Sequence, residues 1–150
     1  MAFFSGEYGS KIDAKGRMVL PARLKNSLPL PDNKHVIITK GFETCLVIYP
    51  MNEWNILLTR LSVLSEFNEE QRNLQRNLMA RSAEVEIDNL GRLLLPKTMK
   101  EYASLESDVT VLGVGSKIEV WNPAVYEKIQ IKDSAQLSKL AEKYLTNSTQ

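Results

Sequence analysis

Short apolar runs separated by turn residues make up the first third of the chain, and they predict β-strands. Four such runs occur, at residues 8–12, 17–20, 36–39 and 46–49. Glycine lies in the segment between the first two runs and again between the last two, which predicts two β-hairpins. Pro21 suits the first turn of a short helix, which we predict over residues 22–27.

The same order of elements returns later in the chain. Strand-like runs occur at residues 85–87, 93–95, 109–112 and 118–121. Pro96 follows the second run and predicts another short helix, to residue 103. Each half carries too few apolar residues for a core of its own, so we expect the two halves to interleave into one barrel-like body, a pseudo-dimer within one chain.

Apolar residues recur at helical spacing between the two halves and after the second one. The first helical face comprises Trp54, Leu57, Leu58, Leu61 and Leu64. Asn68, with Gln71 three residues later, predicts the cap of a second helix that runs to Arg81. The tail predicts helices over 124–131 and 134–144. Its apolar stripe, which indicates internal packing or a subunit contact, comprises Leu137, Leu140, Ala141 and Tyr144.

A repeated phrase shows that one unit is built twice. Residues 13–21 read DAKGRMVLP, and residues 88–96, 75 positions later, read DNLGRLLLP. The match continues from 45–54 to 117–126, where the offset has fallen to 72. We therefore divide the chain into a first unit, a helical connector, a second unit and a helical tail, at residues 7–54, 55–82, 83–126 and 127–150.

Composition adds that the chain is an ordinary globular protein. It has 150 residues, of which 43% are hydrophobic and 25% charged. No apolar run approaches the roughly 20 residues that a membrane-spanning helix needs, and the first residues lack the features of a signal peptide. We expect a cytoplasmic protein without a membrane partner.

The sequence offers little material for catalysis. His35 is the sole histidine and Cys45 the sole cysteine. These two are short of the three or four ligands of a zinc site, and they allow only a Cys–His dyad without an orienting motif. We therefore predict no enzyme activity, no cofactor and no metal.

Charge is concentrated near the first repeated phrase, although the formal net charge of the chain is only +1. Residues 10–25 contain one acid, Asp13, and five cations, which are Lys11, Lys15, Arg17, Arg23 and Lys25. Such a cluster is typical either of a nucleic-acid contact or of a solvated face, and the charge count alone leaves both readings open.

The repeated phrase places an arginine directly after a glycine turn, as Arg17 and as Arg92. A guanidinium group held there can offer a planar fork of donors to guanine in the major groove. The aspartates four positions earlier, Asp13 and Asp88, can accept backbone N–H bonds in the turn and orient the arginine. An alternative is that the two Asp–Arg pairs lock the two turns against each other.

The doubled D-x-x-G-R phrase, followed by apolar residues and proline and separated by a helical segment, resembles the MraZ family over essentially the whole chain. This resemblance implies an α+β fold, a duplicated AbrB-like swapped-hairpin β-barrel with flanking helices. It also implies a bacterial transcriptional regulator that forms rings and binds short repeated DNA sites upstream of its own gene, at the head of the division and cell-wall gene cluster. The implied DNA-binding positions are Asp13, Gly16, Arg17, Asp88, Gly91 and Arg92.

Charge leads us to add Lys15 and Arg23 to these positions. The second turn carries Leu90 where the first carries Lys15, and Glu86 and Asp88 lower its charge further, so we expect the first turn to be the main DNA contact. The expected partners are double-stranded DNA with direct promoter repeats and further copies of this chain, on the nucleoid. The alternative is an antitoxin-like or scaffolding module that binds another protein.

Overall fold

The computed structural model describes residues 3–146, and within them the chain forms eight strands and six helices. The strands are β1 (Phe4–Lys11), β2 (Arg17–Val19), β3 (His35–Lys40), β4 (Leu46–Pro50), β5 (Ser82–Glu86), β6 (Arg92–Leu94), β7 (Asp108–Gly115) and β8 (Lys117–Trp121). The helices are α1 (Ala22–Asn26), α2 (Met51–Ser62), α3 (Glu69–Ala80), α4 (Lys97–Tyr102), α5 (Pro123–Ile129) and α6 (Ser134–Leu145).

Strands of the two copies are interleaved in the main sheet. Six antiparallel strands follow the order β1-β7-β8-β4-β3-β5, and the remaining two, β2 and β6, pair with each other in a separate ribbon. The pairing of β1 with β7 has its counterpart in the pairing of β5 with β3, so a pseudo-twofold axis relates the copies. This is the expected α+β fold, a duplicated AbrB-like arrangement with flanking helices.

The first predicted hairpin of each half is confirmed at its turn, where the Asp13 N–H donates to the Arg17 carbonyl and the Asp88 N–H to the Arg92 carbonyl. It is wrong in the pairing of its strands. The sequence predicts that residues 17–20 pair with 8–12, but β1 pairs with β7 along its whole length and β2 pairs with β6. A single bridge, Ile12 to Met18, links β1 to β2. The reason is packing, because Met18 lies opposite Leu93 at the centre of the ribbon and each is buried there. The later hairpins, β3–β4 and β7–β8, are confirmed.

The core lies between one face of the sheet and a layer made by the ribbon, α1 and α4. Strand alternation sends every second side chain of β3, β4, β7 and β8 into this layer. Its fully buried members come from both copies and include Phe4, Met18, Leu20, Leu24, Ile38, Leu46, Ile48, Leu93, Leu95 and Ile118. A second cluster, with Cys45, Val47 and Trp121, lies outside this core.

The connector and the tail form the predicted helices. Helix α2 buries Trp54 and Leu61, and α3 begins at the predicted cap, where the Asn68 side chain accepts a 3.1 Å hydrogen bond from the Gln71 N–H. The division of the chain into four segments stays a prediction, and residues 147–150 of the expected tail lie outside the described part. No helix in that part is long and apolar enough to cross a membrane.

Met18→Ala tests the interleaved packing. We expect a loss of about 2–5 kcal/mol in the free energy of unfolding, because the change leaves a cavity where the two copies meet. Val19→Ala on the same strand is the control: this side chain is 47% exposed, so its loss should stay below about 1 kcal/mol. Urea denaturation measures both, and equal losses would contradict the central position of Met18.

Candidate nucleic-acid interface

The first turn, residues 13–17, is closed by its own backbone. The Gly16 N–H donates to the Asp13 carbonyl at 3.0 Å, and the Asp13 N–H donates to the Arg17 carbonyl at 2.9 Å. Gly16 has φ of 82°, a left-handed conformation that costs glycine little and other residues about 1–2 kcal/mol. The glycine is therefore required by the shape of the turn.

The Asp13 carboxylate holds both the turn and the arginine. Its Oδ1 accepts from the N–H groups of Lys15 and Arg17, each at 2.9 Å, and its Oδ2 accepts from Arg17 Nε at 2.9 Å. Within residues 3–146, neither terminal nitrogen of Arg17 has a protein hydrogen-bond partner. The guanidinium group is thus fixed from its Nε side, and its two terminal NH₂ groups stay available to a ligand.

The second turn, residues 88–92, repeats this geometry. Asp88 Oδ1 accepts from the N–H groups of Leu90 and Arg92 at 2.9 Å, and its Oδ2 accepts from Arg92 Nε at 2.8 Å. Each Asp–Arg pair therefore locks its own turn, and the pairs do not lock one turn against the other.

Backbone bonds tie each turn to the other copy. The Leu20 N–H donates to the Gly91 carbonyl at 2.8 Å, and the Leu95 N–H donates to the Gly16 carbonyl at 2.9 Å. The two glycines thus have a second role, because their carbonyls anchor the chain that leaves the opposite strand of the ribbon.

The ribbon presents both arginines on one face. Arg17 is paired with Leu94 and Arg92 with Val19, so these four side chains share the face opposite to the buried pair at the centre. Two residues along the strands and one strand spacing separate the arginines, which puts their Cα atoms roughly 8 Å apart. We call these four residues the ribbon face.

Lysines from the opposite copy lie beside each turn. Lys100 Nζ is 2.9 Å from the position that a Cβ on Gly16 would take, and Lys25 Nζ is 3.7 Å from the corresponding position on Gly91. Neither lysine forms an ion pair within the described residues. The fold therefore splits the basic cluster seen in the sequence, because Lys25 belongs in space to the second turn.

Lysines and acids lie together beside both turns. Lys15, Lys97 and Lys100 line an open depression beside the first turn, together with Glu84 and Glu86. Lys25 and Lys34 line a depression beside the second turn, together with Asp88. Glu86, expected from the sequence to lower the charge of the second turn, lies instead beside the first, so the surroundings of the two turns do not differ clearly in charge.

The eight predicted site residues are distributed as follows. The first turn contains Asp13, Lys15, Gly16 and Arg17, and the second contains Asp88, Gly91 and Arg92. Arg23 is exposed on α1, and its side chain makes no hydrogen bond or ion pair with either turn in the part of the chain described.

Sequence reasoning missed Lys97 and Lys100 beside the first turn and did not connect Lys25 with the second. A signal for two of them was present, since Lys25 and Lys100 each stand four residues after the proline of the repeat. The ribbon-face positions of Val19 and Leu94 had no such signal, because they follow from the strand pairing alone.

Cys45 and His35 do not form a dyad, because they lie at opposite ends of the β3–β4 hairpin. Burial, with a smaller effect of Glu119, raises the pKa of the Cys45 thiol to about 12. His35 Nδ1 instead lies 3.0 Å from an Asp32 carboxylate oxygen. Within residues 3–146, no group of three or more His, Cys, Asp or Glu side chains could hold a metal ion.

These features define a class: a duplicated, AbrB-like swapped-hairpin protein whose ribbon carries two oriented arginines. A family model described as "MraZ protein, putative antitoxin-like" matches residues 3–77 and again residues 78–147. The chain belongs to the MraZ family.

Relatives named "Transcriptional regulator MraZ" match the chain almost end to end. The one from Cytophaga hutchinsonii is 50% identical over 145 residues, 97% of this chain and 96% of the relative. Those from Heliobacterium modesticaldum and Acetivibrio thermocellus are 37% and 36% identical over 142 and 140 residues. These alignments cover 95% and 93% of this chain, and 96% and 95% of the relatives. The family is thus one of transcriptional regulators, which is not a class of enzymes.

Titration of Asp13 and Asp88 tests the turn geometry. Backbone N–H donation from Arg17 and Arg92 lowers the pKa of each carboxyl below its ordinary 3.8, partial desolvation opposes this, and the guanidinium groups lower the pKa further. The two ionised carboxylates therefore contribute their full stabilisation of the folded protein above pH 3.8, and this contribution is lost as the pH falls through the lowered pKa. Carbon-13 NMR of the carboxyl groups should give both midpoints below 3.8, and a midpoint above that value would contradict the geometry.

Proposed function

We propose that the protein is a sequence-specific transcriptional regulator that reads double-stranded DNA with its ribbon face. The observation that carries this proposal is the presence of two arginines, Arg17 and Arg92, on one outward face. Each is fixed through Nε, and the terminal nitrogens of each have no hydrogen-bond partner within residues 3–146. A two-stranded ribbon fits the major groove of B-DNA, where a guanidinium fork matches O6 and N7 of guanine. The Asp–Arg bonds hold both forks before DNA arrives, which lowers the entropic cost of binding.

Lysines beside the turns supply affinity that does not depend on sequence. Lys25 and Lys100 have no ion-pair partner within residues 3–146, and Lys15 and Lys97 add charge at the first turn. In this proposal they contact phosphates on both sides of the groove, which makes binding sensitive to salt. In this proposal the first turn is the main DNA contact, because the turn itself carries Lys15 where the second carries Leu90.

We further propose that several copies form a ring and bind short direct repeats in the promoter upstream of their own gene. The apolar stripe of α6 supports self-association, because Leu137, Leu140 and Tyr144 are 55%, 38% and 63% exposed and thus do not pack inside the chain. Individually weak contacts would add through the effective concentration within the ring. Occupied repeats that overlap the promoter would repress transcription of the division and cell-wall genes, so the protein would act on the nucleoid in the cytoplasm.

A second candidate function rests on the same stripe. An antitoxin-like or scaffolding module would use α6 to bind a different protein, and the description of the family model names an antitoxin-like character. The double variant Leu137→Ser, Leu140→Ser distinguishes the regulator from the antitoxin-like or scaffolding module. Loss of self-association with retained binding to a single repeat supports the regulator, whereas unchanged self-association favours the second candidate.

Arg17→Ala tests direct reading of DNA. We expect it to weaken binding to a promoter repeat by about 1–3 kcal/mol, because one bidentate guanine contact is lost, and to affect random DNA much less. Arg17→Lys should rescue little of the specific loss, since lysine keeps the charge without the fork. Fluorescence anisotropy titrations with both DNAs measure this.

The matched control for charge is Arg76→Ala, on the exposed surface of α3. Among the described residues, this side chain hydrogen-bonds to Asn73 of the same helix and to no other residue. The substitution should leave the ratio of specific to non-specific affinity unchanged. Equal losses on the two DNAs for Arg17→Ala would overturn direct reading by this arginine.

A further inference from the structure

We propose that Val19 and Leu94 are specificity-determining residues that contact the 5-methyl groups of thymines next to the guanines read by Arg92 and Arg17. This inference rests on the proposed reading of DNA by the ribbon face. It adds a base preference that arginine alone does not provide.

The two apolar side chains are about half exposed on the outer face of the ribbon. Val19 is 47% exposed and Leu94 is 56% exposed, whereas their strand neighbours Met18 and Leu93 are 0% and 1% exposed. Each of the two short strands therefore has one side chain in the core and one apolar side chain facing outward. The outward pair contributes nothing to the core that we describe.

The neighbours of these side chains are the two arginines. Val19 lies directly opposite Arg92, and Leu94 lies directly opposite Arg17, so each apolar group stands beside one guanidinium group on the same face. Cross-strand neighbours have Cβ atoms about 4.5–5.5 Å apart. Leu94 also lies against the first turn, since its Cδ1 is 3.6 Å from the position of a Cβ on Gly16.

This spacing suits two adjacent base pairs, because successive bases along a strand are about 3.4 Å apart. An arginine that bonds one guanine would bring its apolar neighbour to an adjacent base. The thymine methyl is the one apolar group that a standard base offers in the major groove. An aliphatic side chain beside a guanine-reading arginine therefore favours a thymine next to the guanine.

The pseudo-twofold axis runs through the middle of the ribbon and relates the two pairs. One cross-strand pair is Arg17 with Leu94, and the other is Arg92 with Val19. We therefore expect each half of the ribbon to select a guanine with a neighbouring thymine. Leucine reaches further than valine, so the contact at Leu94 should be the stronger one.

Thymine-to-deoxyuridine replacement tests the inference, since it removes the methyl group and keeps the base pair. The full-length protein is first used to select its preferred duplex from a random pool. Each thymine in that duplex is then replaced singly, and affinities are measured for the wild type, Val19→Ala and Leu94→Ala. The control variant is Val114→Ala, which removes a similarly exposed valine (42%) from β7.

For the wild type, we expect deoxyuridine at a contacted thymine to weaken binding about fourfold, the equivalent of one buried methyl group. At the thymine contacted by Leu94, the Leu94→Ala variant should bind thymine and deoxyuridine equally. At the thymine contacted by Val19, the Val19→Ala variant should do the same. Val114→Ala should keep the full methyl effect.

Two results would overturn the inference. If a preferred duplex is selected but no thymine is sensitive, or if the sensitivity persists in both alanine variants, the methyl contacts are wrong while the reading of DNA by arginine stands. If selection yields no preferred duplex, the proposed function fails, and this inference fails with it.

Discussion

The antiparallel pairing of β2 with β6 is the constraint on which the rest of the structure depends. Each of these strands has three residues, too few to be stable alone. They persist because Met18 and Leu93 face each other at the pseudo-twofold axis and lie in a core to which both copies contribute. The interleaving of the two copies in the sheet follows from this pairing. So do the hydrogen bonds that tie each turn to the other copy.

The same pairing converts two local motifs into one surface. A turn that carries an arginine would be a single weak contact if it stood alone. Here the Gly16 and Gly91 carbonyls accept bonds from the chain of the opposite copy, so the turns are fixed relative to each other. Two oriented forks on one face, with lysines beside them, provide the pre-organisation that favours selective binding of DNA.

Much of this arrangement could be predicted from sequence, because local chemistry determines it. The repeat is visible in the sequence itself. The β3–β4 and β7–β8 hairpins, the Asn68 cap and the hydrogen bonds from arginine to aspartate within each turn all involve residues close in sequence. The partner of β2 could not be predicted. Alternation across three residues shows which side chain is buried, but it does not identify the strand that covers it. Lys100 beside Gly16 depends on that pairing, so it was missed as well.

Hydrogen exchange at two amides tests the central claim most directly. The Leu20 and Leu95 N–H groups form the equivalent bonds between the copies. If the copies form one cooperative body, both amides should exchange with the same opening free energy, equal to that of global unfolding in denaturant. If either amide exchanged through a local opening of lower free energy while the other stayed protected, the two halves would unfold separately. This result would contradict the claim that each turn is held by the other copy.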